Sequence, residues 1–562
     1  MSNPTPIGVN EFMAALARQA ELLPDVLALE FQGSLQAHQR LTYSELVGST
    51  WSASRQLQDQ GVRKAAILSD RSPTRYLAVL TCAWSGVEIL PISTNWPDAR
   101  VLVALDDFQP DIIWVDQDLA PRLERIFGQL GVWSTRLRVQ SFDATLEQAG
   151  DSICDRVYPI LEADAVNRPH LIMSQPLRPF YRVMTSGSTG RPKCIRISTH
   201  NFQSYWRGLC TWHRLTPGQR VSQIFDLSFD LAWHDLFSTW SRGGTLVVPT
   251  RHALLHPLGY LRDAQLDELF MTPTWAAAFL LAEGRPSFQF DRLRRLMFCG
   301  EALSRDLLVA AREAFPRAEI WNLYGPSEAT VAVTHFNCSE SFPLDQLTVP
   351  IGRAFGENFI ALRDGEIHIT GPQVADPASL GKALQRTALE TALDSDRESS
   401  RESNREPDRE SHSWLATGDR AHWSEAEDPR LGRYLNFDGR LDRQVKFRGY
   451  RLELGEVETH ARRCARLLGL KIHGLQVELI DSQLVAIFSL NRESPHAQAQ
   501  PSSDKLQQMD LGQWKSALSG ELPQYAVPQL WYQREDWPLT PSGKTDLLAN
   551  RAWLKSVLGV SD

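Results

Sequence analysis

Several marks of common protein classes are missing from this chain. No run of about 18 apolar residues appears, so no membrane span is expected. The opening stretch, MSNPTPIGVNEFMAAL, has no basic segment leading into a secretory apolar core. A cytoplasmic protein is therefore the default expectation. The seven cysteines are Cys82, Cys154, Cys194, Cys210, Cys299, Cys338 and Cys464. They are odd in number and form no CxxC pair, which excludes a disulfide framework and a cysteine zinc site. There is no basic excess: 67 acidic residues face 59 basic ones, for a net charge of -8. That argues against a general nucleic-acid binder. No HExxH pattern occurs, and His234 has no second histidine at useful spacing, so no metal site is expected at 224–240.

What is present is an alternation of helical and strand-like stretches over 562 residues, 43% of them apolar. The length suggests roughly three or four domain-sized units. Helices are read at Asn10–Leu22, 73–85 and His200–Trp212. Buried strands are read at Lys64–Leu68, Gly86–Ile92, Ile112–Val115, Thr245–Val248, Leu293–Cys299 and Ile320–Leu323. This pattern predicts an α/β fold: a large layered N-terminal region with parallel-type sheets. Residues 145–180 read mostly as loop. At 384–413 the composition breaks, and RESNREPDRE carries no apolar residue but its proline, so a disordered insertion is expected there. Beyond it, the helix 455–469, strands at Ile472–Val477, Leu484–Leu490 and near 528–533, a polar loop at 492–506 and a terminal helix 546–558 form a small α+β unit.

One stretch concentrates chemistry. Met184–Lys193 reads MTSGSTGRPK. Gly187 and Gly190 can take backbone angles closed to other residues, so successive N–H groups can converge on an anion. Thr185, Ser186, Ser188 and Thr189 add hydroxyls, and Lys193 adds a charge. It is not the GxxxxGK[ST] loop, because Cys194 follows the lysine and Pro192 disfavours helix before it. Taken alone, the stretch is as compatible with a turn between two strands as with a phosphate grip.

The loop closely resembles the signature of the adenylate-forming enzymes, a superfamily of acyl- and aryl-CoA ligases, luciferases and nonribosomal peptide adenylation domains. Further matches follow in family order: Asp230, Asn322 through Thr330, Thr417-Gly418-Asp419, Asp438 through Glu458, and Pro538 through Lys544. The resemblance covers about residues 40 to 550. It implies a large region at 1–438, a linker at 439–441 and a mobile α+β domain at 442–562 that rotates about a hinge near Asp442. It implies ATP and Mg²⁺ as cofactors. Thr185, Ser186, Gly187, Ser188, Thr189, Gly190 and Lys193 would hold the phosphates, with Lys193 and Lys544 as the catalytic lysines. Tyr324 would stack by the adenine, Glu328 would hold Mg²⁺, Asp419 would bind the ribose hydroxyls and Arg440 would contact the nucleotide. Lys544 would reach the carboxylate and α-phosphate. Gly449 would lie beside the thiol arm in the second conformation.

The acid is read from Asp230, which resembles the amino-group anchor of amino-acid-activating members. Asp226 in the preceding FDLS is its rival, and the spacing to Gly243-Gly244 favours Asp230. By the same resemblance the pocket carries over as Leu231, His234, Phe270, Met297, Cys299, Leu323, Val331 and Ala332. That set resembles a proline-activating pattern, with His234 where leucine is usual and Phe270 where tyrosine is. L-proline or a close analogue is the leading expectation, in a pathway turning a prolyl thioester into a pyrroline or pyrrole. The alternatives are another small apolar amino acid, an acyl- or aryl-CoA ligase, and a non-catalytic binding protein. Only 18 residues follow Lys544, so delivery to a separate peptidyl carrier protein with a phosphopantetheine arm is expected. An accessory protein is a further candidate partner; nucleic acid and membrane are not.

Overall fold

The computed structural model describes residues 10–32, 40–129, 137–142, 156–157, 178–185, 193–282, 288–338, 347–380, 384–386, 413–424, 433–470, 472–490, 503–540 and 545–560. Local chemistry places the first elements. Thr42 and Glu45 exchange hydrogen bonds in a capping box that starts the helix Tyr43–Asp59. Pro73 sits in the first turn of the helix Pro73–Ser85, and Gly86 closes it in the left-handed region at φ 70°.

The described strands form two large sheets. The first has seven strands, in the order Arg156–Val157, Arg138–Ser141, Ile112–Val115, Lys64–Leu68, Glu88–Ile92, Pro179–Thr185, Lys193–Ser198. Its pairs from Arg156–Val157 through Pro179–Thr185 are parallel. The second has nine strands, in the order Arg353–Ala354, Thr334–Asn337, Glu319–Tyr324, Arg295–Phe298, Glu268–Met271, Arg220–Ser222, Thr245–Val248, Leu27–Phe31, Arg40–Thr42. Its interior is parallel and both edges are antiparallel. The strands are fully buried runs such as Ile112–Val115 and Glu268–Met271, as sheets covered on both faces require.

The parallel-type sheets are as expected, and the larger unit adds an antiparallel one. A separate five-stranded antiparallel sheet pairs Phe359–Arg363, Glu366–Thr370, Ser413–Trp423 and Leu384–Arg386, with Leu435–Arg440 on the far side of Ser413–Trp423. Leu384–Arg386 and Ser413 are thus strand residues and not part of an insertion; 387–412 lie outside the described residues. Gly439 and Arg440 end a strand instead of forming a linker. The helix Ser503–Ser519 begins inside the stretch read as a polar loop. Of 145–180, only Arg156–Val157 and 178–180 are described, all but Arg178 in strands.

The chain divides into two compact units. The larger holds Met1–Thr94, Leu105–Met184 and Cys194–Leu441; the smaller holds Asp442–Asp562 with Asn95–Ala104 and Thr185–Lys193. The larger has one continuous apolar core. In the smaller, a hairpin (Gln444–Phe447 with Tyr450–Glu453) leads into the helix Leu454–Leu467. A three-stranded sheet follows, Ile472–Ile480, Gln483–Leu490 and Leu530–Gln533, with the terminal helix Leu547–Leu558. Among the described residues, no helix is long and apolar enough to cross a membrane.

Candidate active site

The proposed amino-acid pocket is built where one helix meets one face of the nine-stranded sheet. Residues two apart on a strand share a face. Phe270, Met297 and Trp321 are register partners across three parallel strands. Two residues earlier the same face carries Glu268, Arg295 and Glu319, also in register. Two residues later it carries Cys299 and Leu323. An apolar tier therefore lies directly on an ionic one. This alternation brings Phe270, Met297, Cys299 and Leu323 together although they are far apart in sequence.

The helix Asp230–Trp240 supplies the opposite wall. Asp230 is its first residue and is 7% exposed. Leu231 Cδ1 lies 3.6 Å from where a Cβ on Gly300 would stand, against the turn after Cys299. His234 is one helical turn beyond Asp230, on the same side. Its ring lies 4.6 Å from that of Phe270. The Tyr205 hydroxyl is 2.6 Å from His234 Nδ1. Burial, helped by neighbouring His213, pushes the His234 pKa down to about 3, so the ring is neutral.

The rival aspartate is committed elsewhere. Asp226 pairs with Arg75 at 3.3 Å and accepts from the backbone and hydroxyl of Ser228. Burial opposes its charge, but Arg75 and those hydrogen bonds hold its carboxyl below the usual range. That is a structural role.

Beneath the pocket, Arg242 donates to His213 Nδ1, and His213 Nε2 donates to Glu268 at 2.8 Å. Arg295 also reaches Glu268, at 3.1 Å. Burial works against the Glu268 charge, yet His213 and Arg295 take its pKa to about 2. Asp235 is different. It is fully buried, and neither oxygen has a hydrogen-bond partner among the described residues. Burial first, and Glu268 second, raise its pKa well above the usual carboxylate value.

Val331 and Ala332 reach the pocket on a strained turn. Thr330 and Val331 have φ of 59° and 68°, the left-handed region that β-branched residues avoid. Gly325 lets this turn come close: a Cβ there would stand 2.6 Å from Ala332 Cα. Gln373, fully buried, donates from Nε2 to the carbonyls of Ala329, Thr330 and Ala332. Thr330 Oγ1 returns a bond to the Gln373 carbonyl at 2.7 Å. Gln373 and Tyr205 are therefore supporting residues that sequence reasoning missed. Nothing in a lone glutamine between Pro372 and Val374 distinguishes it, whereas the pair of positive φ values it holds is visible only in three dimensions.

The proposed nucleotide residues converge beside this pocket. Leu323 and Tyr324 are neighbours on one strand and point to opposite faces. The Tyr324 hydroxyl donates to Asp419 Oδ2 at 2.7 Å, and Arg440 donates to Asp419 Oδ1 at 2.5 Å. Antiparallel register sets the second contact, since Asp419 and Arg440 are direct partners. Asp419 is 1% exposed. Burial and the adjacent Asp419 charge push the Tyr324 phenol far above its ordinary pKa, so it remains a donor.

Glu328 is 8% exposed in the short turn Ser327–Ala329. Its hard carboxylate oxygens suit Mg²⁺, which is commonly bound by one or two carboxylates and the substrate's own phosphates. No group of three His, Cys, Asp or Glu that could hold a metal occurs among the described residues, so a site here relies on phosphate oxygens.

In the smaller unit, Thr185 ends a strand and is buried, while Lys193 starts the next and is exposed. Ser186, Gly187, Ser188, Thr189 and Gly190 lie outside the described residues, as does Lys544. Asp442 is the first residue of the main segment of this unit and accepts from the Gln444 backbone. Gly449 forms the hairpin turn at φ 81°.

Two α/β layers with a carboxylate-bearing pocket and an adjoining Asp–Tyr–Arg cluster define an enzyme of the adenylate-forming class. The family model described as "AMP-binding enzyme" matches residues 16–376, and the chain belongs to that family. It is accordingly an ATP- and Mg²⁺-using ligase. The D-alanine–D-alanyl carrier protein ligase of Bacillus licheniformis is 25% identical over 95% of this chain and 98% of its own length. Its counterpart from Staphylococcus epidermidis is 28% identical over 90% and 92%. Among solved structures, the Vibrio cholerae adenylation domain AlmE, in complex with glycyl-adenosine-5'-phosphate, superposes with a TM-score of 0.77. It is 25% identical and covers 99% of each chain.

Proposed function

We propose that this enzyme activates a small amino acid, of the size of glycine or alanine, as its aminoacyl-adenylate and passes it to the phosphopantetheine thiol of a separate carrier protein. The observation that carries the reading is Asp230, a buried carboxylate at the head of the pocket helix. An ammonium group is its natural partner. Size is argued from the wall. All nine pocket residues are 7% exposed or less, and His234, Phe270, Met297 and Ala332 are 0% exposed. A short side chain suits such a wall better than the proline ring expected from residue pattern. The D-alanine ligases and the glycyl-adenylate complex support the same choice.

The chemistry follows from charge. The amino-acid carboxylate attacks the α-phosphorus of ATP, and pyrophosphate leaves with the bonding pair. Both reactants are anionic, so Lys193, Lys544 and Mg²⁺ at Glu328 would offset the developing charge. Asp419, with two acceptor oxygens, would receive the ribose diol. A thiolate then attacks the acyl carbon, AMP leaves, and a thioester results. Rotation of the smaller unit near Asp442 would withdraw Lys544 and bring Gly449 to the thiol.

Asp230→Ala tests the anchor. Amino-acid-dependent pyrophosphate exchange is expected to fall at least about a hundredfold, the scale of losing a charge-assisted contact in a closed site. Full activity in that variant would sink the amino-anchor assignment of Asp230.

A further inference from the structure

The smaller unit contains a buried polar chain that connects its first residues to its terminal helix. Arg443 directly follows the residue at which this unit resumes. Its guanidinium donates to both oxygens of Glu458, at 3.2 and 2.9 Å, to the Val477 carbonyl at 2.8 Å and to Glu478 at 3.3 Å. Glu478 Oε1 also accepts from Gln476 Nε2 at 2.8 Å. Gln476 is fully buried and divides its amide. Nε2 donates on to the Leu547 carbonyl at 3.0 Å, while Oε1 accepts from Asn550 Nδ2 at 2.9 Å. Asn550, also fully buried, accepts from Arg534 at 2.9 Å.

Leu547 and Asn550 lie in the first turn of the terminal helix, which begins just after Lys544. The base of the lysine loop is pinned as well. Leu539 and Thr545 form a bridge, the Asp546 N–H donates to the Pro538 carbonyl at 3.0 Å, and Trp537 Nε1 donates to Thr545 Oγ1 at 3.2 Å. Trp537 is fixed against Gly474, where a Cβ would stand 2.1 Å from its ring.

We propose that Gln476 and Asn550, tied to Arg443 through Glu478, are positioning residues for the adenylation half-reaction. They lock the first turn of the terminal helix Leu547–Leu558 to the first residues of the unit, so that the helix follows motion at the hinge. This inference rests on the reading that Lys544 serves adenylate formation and not thiol transfer. Buried amides are suited to the task. They have defined partners, and leaving one unpaired is costly, so the network favours a single register.

The test separates the two half-reactions. Wild type, Gln476→Ala, Asn550→Ala and Arg443→Gln are assayed for amino-acid-dependent pyrophosphate exchange. They are assayed in parallel for transfer from chemically made glycyl- and D-alanyl-adenylate to free pantetheine. The two buried variants should lose about tenfold or more in kcat for exchange, with KM for ATP little changed, because small misplacement of a reacting group is expensive. Transfer should stay within about twofold, since the lysine is withdrawn in that step. Arg443 is one-third exposed, and its variant, expected to lose exchange in the same way, carries the test if a buried variant melts early. Equal losses in both steps would overturn the proposal and leave a merely structural network, as would unchanged exchange in all three variants. A wild type that forms no adenylate from any amino acid would instead overturn the functional reading itself.

Discussion

At the scale of single residues, Asp419 and His234 are held by their neighbours in different ways. Tyr324 and Arg440 each engage one oxygen of Asp419. Tyr324→Phe removes one donor and leaves the ring. KM for ATP should rise about ten- to a hundredfold, the worth of one hydrogen bond to a charged group, measured by exchange at saturating amino acid. His234 is held neutral. Its folded pKa of about 3 lies below the unfolded value near 6.5. The unfolded chain therefore takes up the proton first as pH falls, and the stability contributed by the neutral ring, complete above about pH 6.5, is lost toward pH 3. Replacing His234 by Leu removes this dependence. Between about pH 6 and pH 4 the unfolding free energy of the variant should slope less steeply, by about 1.4 kcal/mol per pH unit, as read from urea midpoints. Asp230 stands out in the sequence because a carboxylate amid apolar residues must be paired or used. Its rival, Asp226, pairs with Arg75, which lies 151 positions away in sequence and so could not be read locally.

At the scale of elements, strand periodicity explains much of what could be read. The helix Pro73–Ser85 and the strands Lys64–Leu68 and Thr245–Val248 are marked by caps and apolar runs, and they occur where those signals end. The five-stranded antiparallel sheet was not legible, since its strands alternate weakly and one pairing crosses the compositional break. In the turn after Tyr324, Thr330 and Val331 carry β-branched side chains that favour strands. Gln373 and Gly325 override that preference by holding both residues at positive φ. Gln373→Leu should therefore release this pocket wall. We expect a loss of about 2 kcal/mol in stability from the unpaired carbonyls, and adenylation reduced more strongly than the melting temperature alone explains. Thermal melting beside pyrophosphate exchange checks this.

At the scale of the whole molecule, the chain divides into two units; Asp230 and Asp419 fall in the larger, and Lys193 and position 544 fall in the smaller. The acid's size is proposed from packing and not from the residue pattern. The residue pattern pointed to proline, whereas the close packing of the wall argues for less. Exposure is a property of packing, and no motif encodes it. The most direct measurement is amino-acid-dependent pyrophosphate exchange with the purified full chain, ATP and Mg²⁺, across all amino acids, both alanine enantiomers and the proline analogues. Strong exchange with glycine or an alanine, and exchange with proline at least about tenfold weaker, as pocket discrimination by a few methylenes allows, is the predicted result. Preference for proline, or for a larger side chain, would contradict the account.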